Sequence, residues 1–230
     1  MTTFVLVHGS WHGGWCWRYV APILRSAGNE VYTPTLSGLG ERSHLIGCGI
    51  DLGTHIQDVV NLLEFEDLSE VALVGHSYAG MVISGVAAKA PKRLARLIYL
   101  DAYVPNAGQS ELDFWPPGER MAVEREIATG KFIQPPPPPS VFGITDPRMA
   151  RWVSARLTPH PLLTYDQPIP AGDKAMAALP RAYILCTDSF AHFAARARRD
   201  GWRVRELRTG HDAMLTEPRK LSELLQELSH

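Results

Sequence analysis

At 230 residues the chain fits one domain of ordinary size with room for an inserted lobe, and it is too long to depend on disulfides or zinc for its stability. With 23 Lys plus Arg against 24 Asp plus Glu, a net charge of −1 and no basic tract, nothing marks it for nucleic acid or an anionic membrane. Three cysteines (Cys16, Cys48, Cys186), none in a C-x-x-C pair, argue against a disulfide framework or a metal site and for a reducing compartment, so the cytoplasm is the expected location. No apolar run approaches the roughly 18 residues of a membrane helix, and no basic leader precedes Phe4, so no export signal is read.

Taken along the chain, short β-branched or aliphatic runs alternate with stretches of helical periodicity, which predicts βα units building a mostly parallel sheet with helices on both faces, an α/β fold. Strands are expected at residues 3–8, 30–34, 70–75, 96–101, 181–186 and 202–207. Trp17 to Ala27 reads as a helix stopping at Gly28, and Thr54 as the cap of a second helix with Ile56, Val59, Val60 and Leu63 on one face. Thr216 followed by Pro218 is expected to start a last helix whose Leu221, Leu224, Leu225 and Leu228 stripe packs on the sheet. Residues 105–180 break the alternation and hold 14 of the 18 prolines, including Pro135 to Pro139. A segment this long between two strands predicts an inserted cap over a site, leaving 1–104 and 181–230 as the core. The proline run reads as an extended, stiff strap, with a ligand for a proline-recognition domain as the weaker alternative.

Gly75-His76-Ser77-Tyr78-Ala79-Gly80 sets a serine after an apolar strand and before a helix, the context in which a G-x-S-x-G elbow carries meaning. Small residues must flank the serine at two positions on either side, which Gly75 and Ala79 provide, and Gly80 is expected to let the helix approach the strand. The bland alternative makes Ser77 a helix cap. Strand one ends in His8-Gly9-Ser10 and a glycine-rich loop, Trp11 to Trp15, at the sheet edge where binding crevices form. An oxyanion hole could there combine the backbone N–H groups of Ser10 and Tyr78. At least two of Trp11, Trp15 and Trp17 are expected in core packing, and His12 as either a packed residue or a pocket wall. His211, on the loop after the last strand, is the candidate base, since a serine hydroxyl needs a positioned imidazole to lose its proton. Asp101 and Asp188 both lie at strand ends in the order serine, acid, histidine, and either could orient that ring. Asp212 adjoins His211 too closely in sequence to hold its far nitrogen and reads as a loop or helix-start residue.

Together Phe4 to Trp17, Pro34 to Arg42, the elbow at Gly75 to Gly80, and Gly210-His211 through Pro218 resemble the α/β-hydrolase superfamily. More narrowly the chain is similar to the branch holding plant methylesterases, among them the salicylate-binding methylesterase, with hydroxynitrile lyases and bacterial esterase relatives. The resemblance implies an α/β-hydrolase fold, Ser77 as nucleophile, His211 as base, the Ser10 and Tyr78 amides as oxyanion hole, and no cofactor or metal. In the methylesterases the acid follows the strand matching Ala182 to Cys186, but here Ser189 falls at that place and Asp188 one residue before it. Some lipases of the superfamily carry the acid where Asp101 stands. The lyases use a lysine and a threonine where this chain has Asp212 and Gly9, and an anion beside the base would repel cyanide. The implied activity is serine carboxylesterase action on a small, apolar or aromatic ester, with His12 and Trp115 at the substrate and Phe114, Phe132, Phe142 and Trp152 as further cap candidates. The expected partner is that small-molecule ester, with assembly as a homodimer left open. The rival readings are a ligand-binding protein on a hydrolase fold and a biosynthetic hydrolase acting on a polyketide or lactone.

Overall fold

The six strand runs form one sheet whose inner members are apolar on both sides and so must be covered twice, while the two edge runs carry charged residues. The computed structural model describes residues 1–47, 49–172 and 174–230; Cys48 lies outside them. In chain order the elements are β1 (Thr3–Val7), α1 (Val20–Ser26), β2 (Glu30–Tyr32), α2 (Leu52–Phe65), β3 (Val71–His76), α3 (Ala79–Lys89) and β4 (Leu94–Leu100). The excursion that follows carries α4 (Pro117–Ala128), β5 (Ile133–Gln134), α5 (Pro147–Ser154), β6 (His160–Pro161), α6 (Leu163–Asp166) and α7 (Lys174–Ala178). The chain returns through β7 (Arg181–Leu185), α8 (Ala191–Arg199), β8 (Arg203–Glu206), α9 (Ala213–Thr216) and α10 (Pro218–Leu228).

The main sheet has the order β2-β1-β3-β4-β7-β8, with every neighbouring pair parallel. Successive side chains of a strand face opposite ways, so the inner strands feed two cores. Val5, Val7, Leu73, Leu97, Tyr99 and Tyr183 join the side covered by α2, α3 and α8. Phe4, Leu6, Val74, Ile98, Leu100 and Ile184 join the side covered by α1, α9 and α10. The excursion pairs β5 with β6 antiparallel, and Pro138, near the end of the proline run, has φ −65° and ψ 149°, the extended polyproline conformation. Among the described residues no helix is long and apolar enough to cross a membrane.

Two helix starts differ from expectation. Asp51, not Thr54, caps α2: its carboxylate accepts from the backbone N of Thr54 at 2.8 Å and from Thr54 Oγ1 at 2.8 Å, so Thr54 sits inside the first turn. The short helix α9 occupies Thr216, leaving Glu217 as the residue before Pro218, while Leu221, Leu225 and Leu228 are buried as the stripe requires.

The winding direction positions the site. The chain leaves β1 for its outer neighbour β2, then crosses back to β3, so strand order reverses between β1 and β3. Loops diverge from the carboxyl ends of strands at such a point and open a crevice. The His8-Gly9-Ser10 loop and Ser77 stand on those two ends.

Candidate active site

The elbow is built by steric necessity. Ser77 has φ +55°, a conformation costly for a residue with a Cβ, and it is held there by Ser77 N donating to Leu100 O at 3.2 Å and Tyr103 N donating to Ser77 O at 3.3 Å. A Cβ on Gly75 would lie 2.6 Å from the Ala79 carbonyl oxygen, which is why the turn closes only with glycine there. A Cβ on Gly9 would lie 2.9 Å from the Ser77 Cβ, so glycine lets the first loop reach the serine. Gly80 does not face β3 as expected. What approaches it is the backbone after β4: a Cβ there would meet the Tyr103 carbonyl oxygen at 2.0 Å. Gly80→Ala is therefore expected to destabilise the protein by on the order of 3 kcal/mol, because backbone on both sides leaves little room to relax. Urea unfolding followed by circular dichroism checks this, and an unchanged midpoint would mean that the Tyr103 loop yields freely.

His211 Nδ1–H donates to Asp101 Oδ2 at 2.7 Å. Asp101 is fully buried, and its two oxygens also accept from Cys186 N at 2.9 Å, Thr187 N at 3.1 Å and Thr187 Oγ1 at 2.7 Å. Four donors hold one carboxylate, which fixes its orientation toward the ring. Asp188, the other acid singled out by the sequence, is 92% exposed and among the described residues its carboxylate reaches only Arg208, at 3.3 Å. Its side chain points to solvent at the far side of the short turn Asp188–Phe190, so it does not orient the ring.

Ser77 and His211 line one cavity of about 230 Å³. Trp11, Tyr103, Phe142 and Phe190 give it aromatic walls, Val141 an apolar one, and Ser10, Thr187 and Ser189 a few polar groups. Phe190 lies face to face with the His211 ring, centroids 5.1 Å apart and planes 8° apart, and shields the imidazole from solvent on that side. Phe142 belongs to the excursion after β4, and it is bound to the histidine loop through the backbone: Asp212 N donates to Phe142 O at 3.1 Å, and Gly143 and Gly210 touch so closely that neither has room for a Cβ.

The first loop is set by His8. Its Nδ1–H donates to Gly9 O at 2.9 Å and its Nε2 accepts from Leu36 N at 3.1 Å, which fixes one neutral tautomer. Burial pushes the His8 pKa down to about 3, so that tautomer persists at any ordinary pH. In a planar trans peptide the C=O and N–H point opposite ways, so anchoring Gly9 O turns Ser10 N–H away from His8. Among the described residues neither Ser10 N–H nor Tyr78 N–H has a hydrogen-bond partner in the chain. The Tyr78 side chain points into the core instead, where its hydroxyl donates to His55 Nδ1 at 2.8 Å while His55 Nε2–H donates to Ser37 O at 2.9 Å.

Two expected substrate contacts lie elsewhere. His12 is buried beneath the first loop with both ring nitrogens engaged, at 2.7 Å to Ser10 O and 3.0 Å to Asp212 Oδ2, and does not line the cavity. Trp115 packs on Tyr165 with ring centroids 5.2 Å apart and is likewise outside it. Of the cap aromatics named from sequence, Phe142 alone lines the cavity, whereas Trp11, Tyr103, Phe190 and Thr187 were not singled out as its walls. The signal that could have found the last three is position: each lies within five residues of the carboxyl end of β4 or β7, on the crevice side of the sheet. His76, the residue before the serine, points away from the cavity: its Nε2 lies 3.0 Å from His211 O, so it steadies the histidine loop.

Behind the cavity Glu111 is 3% exposed, and burial pushes its carboxyl up to about 8. The folded chain then holds a proton that the unfolded chain, at the ordinary 4.5, releases. Stability is present in full below about 4.5 and falls as pH rises towards about 8. Glu111→Gln should remove this slope, so that urea midpoints of the variant gain on the parent between pH 5 and 8; parallel curves would contradict a protonated Glu111.

Comparison with known proteins agrees with this architecture. Residues 4–224 match the model of the alpha/beta hydrolase family. The chain is 39% identical over 242 residues to a carbendazim hydrolyzing esterase of Nocardioides sp. (strain SG-4G), covering 99% of this chain and 100% of the relative. It is 28% identical to salicylic acid-binding protein 2 of Nicotiana tabacum, covering 99% of this chain and 96% of that one. Among solved structures, an extracellular alpha/beta-hydrolase from a Paenibacillus species superposes with TM-score 0.84 at 25% identity, covering 99% of both chains. With its parallel sheet, its elbow serine and matched relatives over nearly its whole length, the chain belongs to the alpha/beta hydrolase family, among its carboxylic-ester hydrolases.

Proposed function

We propose that the protein is a serine carboxylesterase acting on a small ester with an apolar or aromatic part. The observation that carries this is that His211, held by Asp101 at 2.7 Å, lines the same cavity as a serine held at φ +55°. Ser77 Oγ attacks the ester carbonyl as its proton passes to His211 Nε2, and the developing oxyanion is received by the unpaired N–H groups of Ser10 and Tyr78. His211 returns the proton to the leaving alkoxide. Water then attacks the acyl-enzyme, giving its proton to His211, and the carboxylic acid leaves as Ser77 is reprotonated. Asp101 keeps His211 Nδ1 protonated, so that Nε2 is the free base facing the serine.

Cavity walls support the substrate class: about 230 Å³ ringed by four aromatic side chains suits a compact, flat or apolar ester. Relatives named as a carbendazim hydrolyzing esterase and as a methylesterase point the same way. Two buried free thiols, Cys16 and Cys186, fit the proposed cytoplasmic location.

The test is turnover of short-chain p-nitrophenyl and methyl aryl esters near neutral pH, together with labelling by a fluorophosphonate and mapping of the label by peptide mass spectrometry. Hydrolysis with the label on Ser77 is expected. A folded protein that binds aromatic acids but neither turns over an ester nor labels would be a ligand-binding relative instead.

A further inference from the structure

His12 sits where the first loop meets the base loop. Its Nδ1 is 2.7 Å from Ser10 O and its Nε2 is 3.0 Å from Asp212 Oδ2. Against an ionised Asp212 both partners only accept, so each ring nitrogen must carry a hydrogen, which makes the ring an imidazolium. The Trp15 indole stacks on it with centroids 5.2 Å apart and planes 23° apart, as an aromatic face does on a cation. Burial alone would push its pKa down, but the Asp212 charge and hydrogen bond, with the Ser10 carbonyl, outweigh this and hold it above the ordinary imidazole value.

Among the described residues the groups facing this pair offer no other countercharge. His76 of β3 has Nε2 4.0 Å from Asp212 Oδ1, but burial holds it well below the ordinary value and neutral. His8 at the end of β1 and His160 of β6 are likewise pushed down by burial, and the thiol of Cys16 is pushed up by burial and by Asp212. His211 adjoins Asp212 in the chain and is held through Nδ1 by Asp101. Without a cation at position 12, the buried Asp212 carboxylate would favour the protonated form of the neighbouring base.

We propose that His12 is a positioning residue: its imidazolium ties the Ser10 carbonyl to Asp212, fixing the loop that carries the oxyanion amide against the loop that carries the base, and cancels the Asp212 charge beside His211. The catalytic consequence rests on the serine esterase reading; the charge state does not.

Two measurements separate them. The first is ring-nitrogen NMR on the unmodified protein with labelled histidine, the His12 signal being identified by its loss in His12→Gln or, should that variant not fold, by its shift in Asp212→Asn. Both ring nitrogens are expected to keep a proton at pH 8, where a free imidazole has lost one, and Asp212→Asn should release the second. A ring with one bare nitrogen at pH 8 in the parent would overturn the proposal, whatever reaction the protein catalyses. The second is the pH profile of kcat/KM. His12→Gln should move the acid limb up by about one unit, a tenfold loss at pH values below the limb, with KM little changed, and His12→Gln combined with Asp212→Asn should bring the limb back. A limb that stays put in His12→Gln, or that the double variant does not restore, would overturn the positioning role even with the charge state established.

Discussion

Ser77→Ala is expected to lower kcat by about 10⁶-fold with the fold intact, because removing the nucleophile of a serine hydrolase abolishes the acyl-enzyme route and leaves only binding and oxyanion stabilisation. Alanine occupies the same backbone position at φ +55° with a Cβ of the same size, so the elbow's hydrogen bonds to Leu100 and Tyr103 persist. The variant should therefore unfold at the parent's urea midpoint and still bind product acids in the aromatic cavity. Single-turnover assays on an activated ester give the measurement: retention of even a hundredth of the parent's rate would mean that a water or another side chain does the work assigned to Ser77.

Asp101→Asn should cost about 10⁴-fold in kcat, as loss of the orienting carboxylate does in a serine triad. The physical cause is the tautomer. An amide at position 101 can present its NH2 to His211 Nδ1, which then becomes an acceptor, moves the ring proton to Nε2 and removes the base. The substitution also leaves Cys186 N, Thr187 N and Thr187 Oγ1 facing a neutral group with one acceptor atom instead of two, so some loss of stability accompanies it. Asp188→Asn is the matched control, since that side chain is 92% exposed and among the described residues its carboxylate reaches only Arg208. It should leave kcat and KM at the parent values. Equal rates for the two Asn variants would remove Asp101 from its assigned role.

The inner strands were legible because burial on both faces demands uninterrupted aliphatic runs, and Val71 to His76 is buried at every position. The elbow was legible for a similar reason: a sharp strand-to-helix turn tolerates few residue types, and those types leave a motif. The acid was not. Asp101 and Asp188 end neighbouring parallel strands on the same edge, so sequence places both within reach of His211, and only the direction of each side chain separates them. That direction follows from backbone geometry, with Asp101 at φ +42° turned inward, which no residue pattern announces. The first loop failed in the same way. Trp11 stands at φ +63°, and the reversal there brings the indole to the cavity and His12 beneath the loop, opposite to the simplest reading of the two. Cap walls stayed hidden because the excursion's aromatics serve two purposes: Phe114 packs on Phe193 at 5.1 Å and Trp152 on Trp15 at 5.3 Å, while Phe142 reaches the site, and composition is the same for all three.

The backbone seam between Phe142-Gly143 and Gly210-Asp212 also bears on how such a protein can diversify. A lobe joined to the core only by its two ends could be exchanged wholesale between relatives to transfer substrate preference. Here a graft would have to carry glycine on both sides of the seam and match the carbonyl that receives Asp212 N, or it would displace the histidine it was meant to leave alone. Point changes at wall positions that take no part in the seam, such as Tyr103, Val141 and Phe190, leave it untouched, so the seam makes the lobe and the core one mechanical unit rather than interchangeable parts.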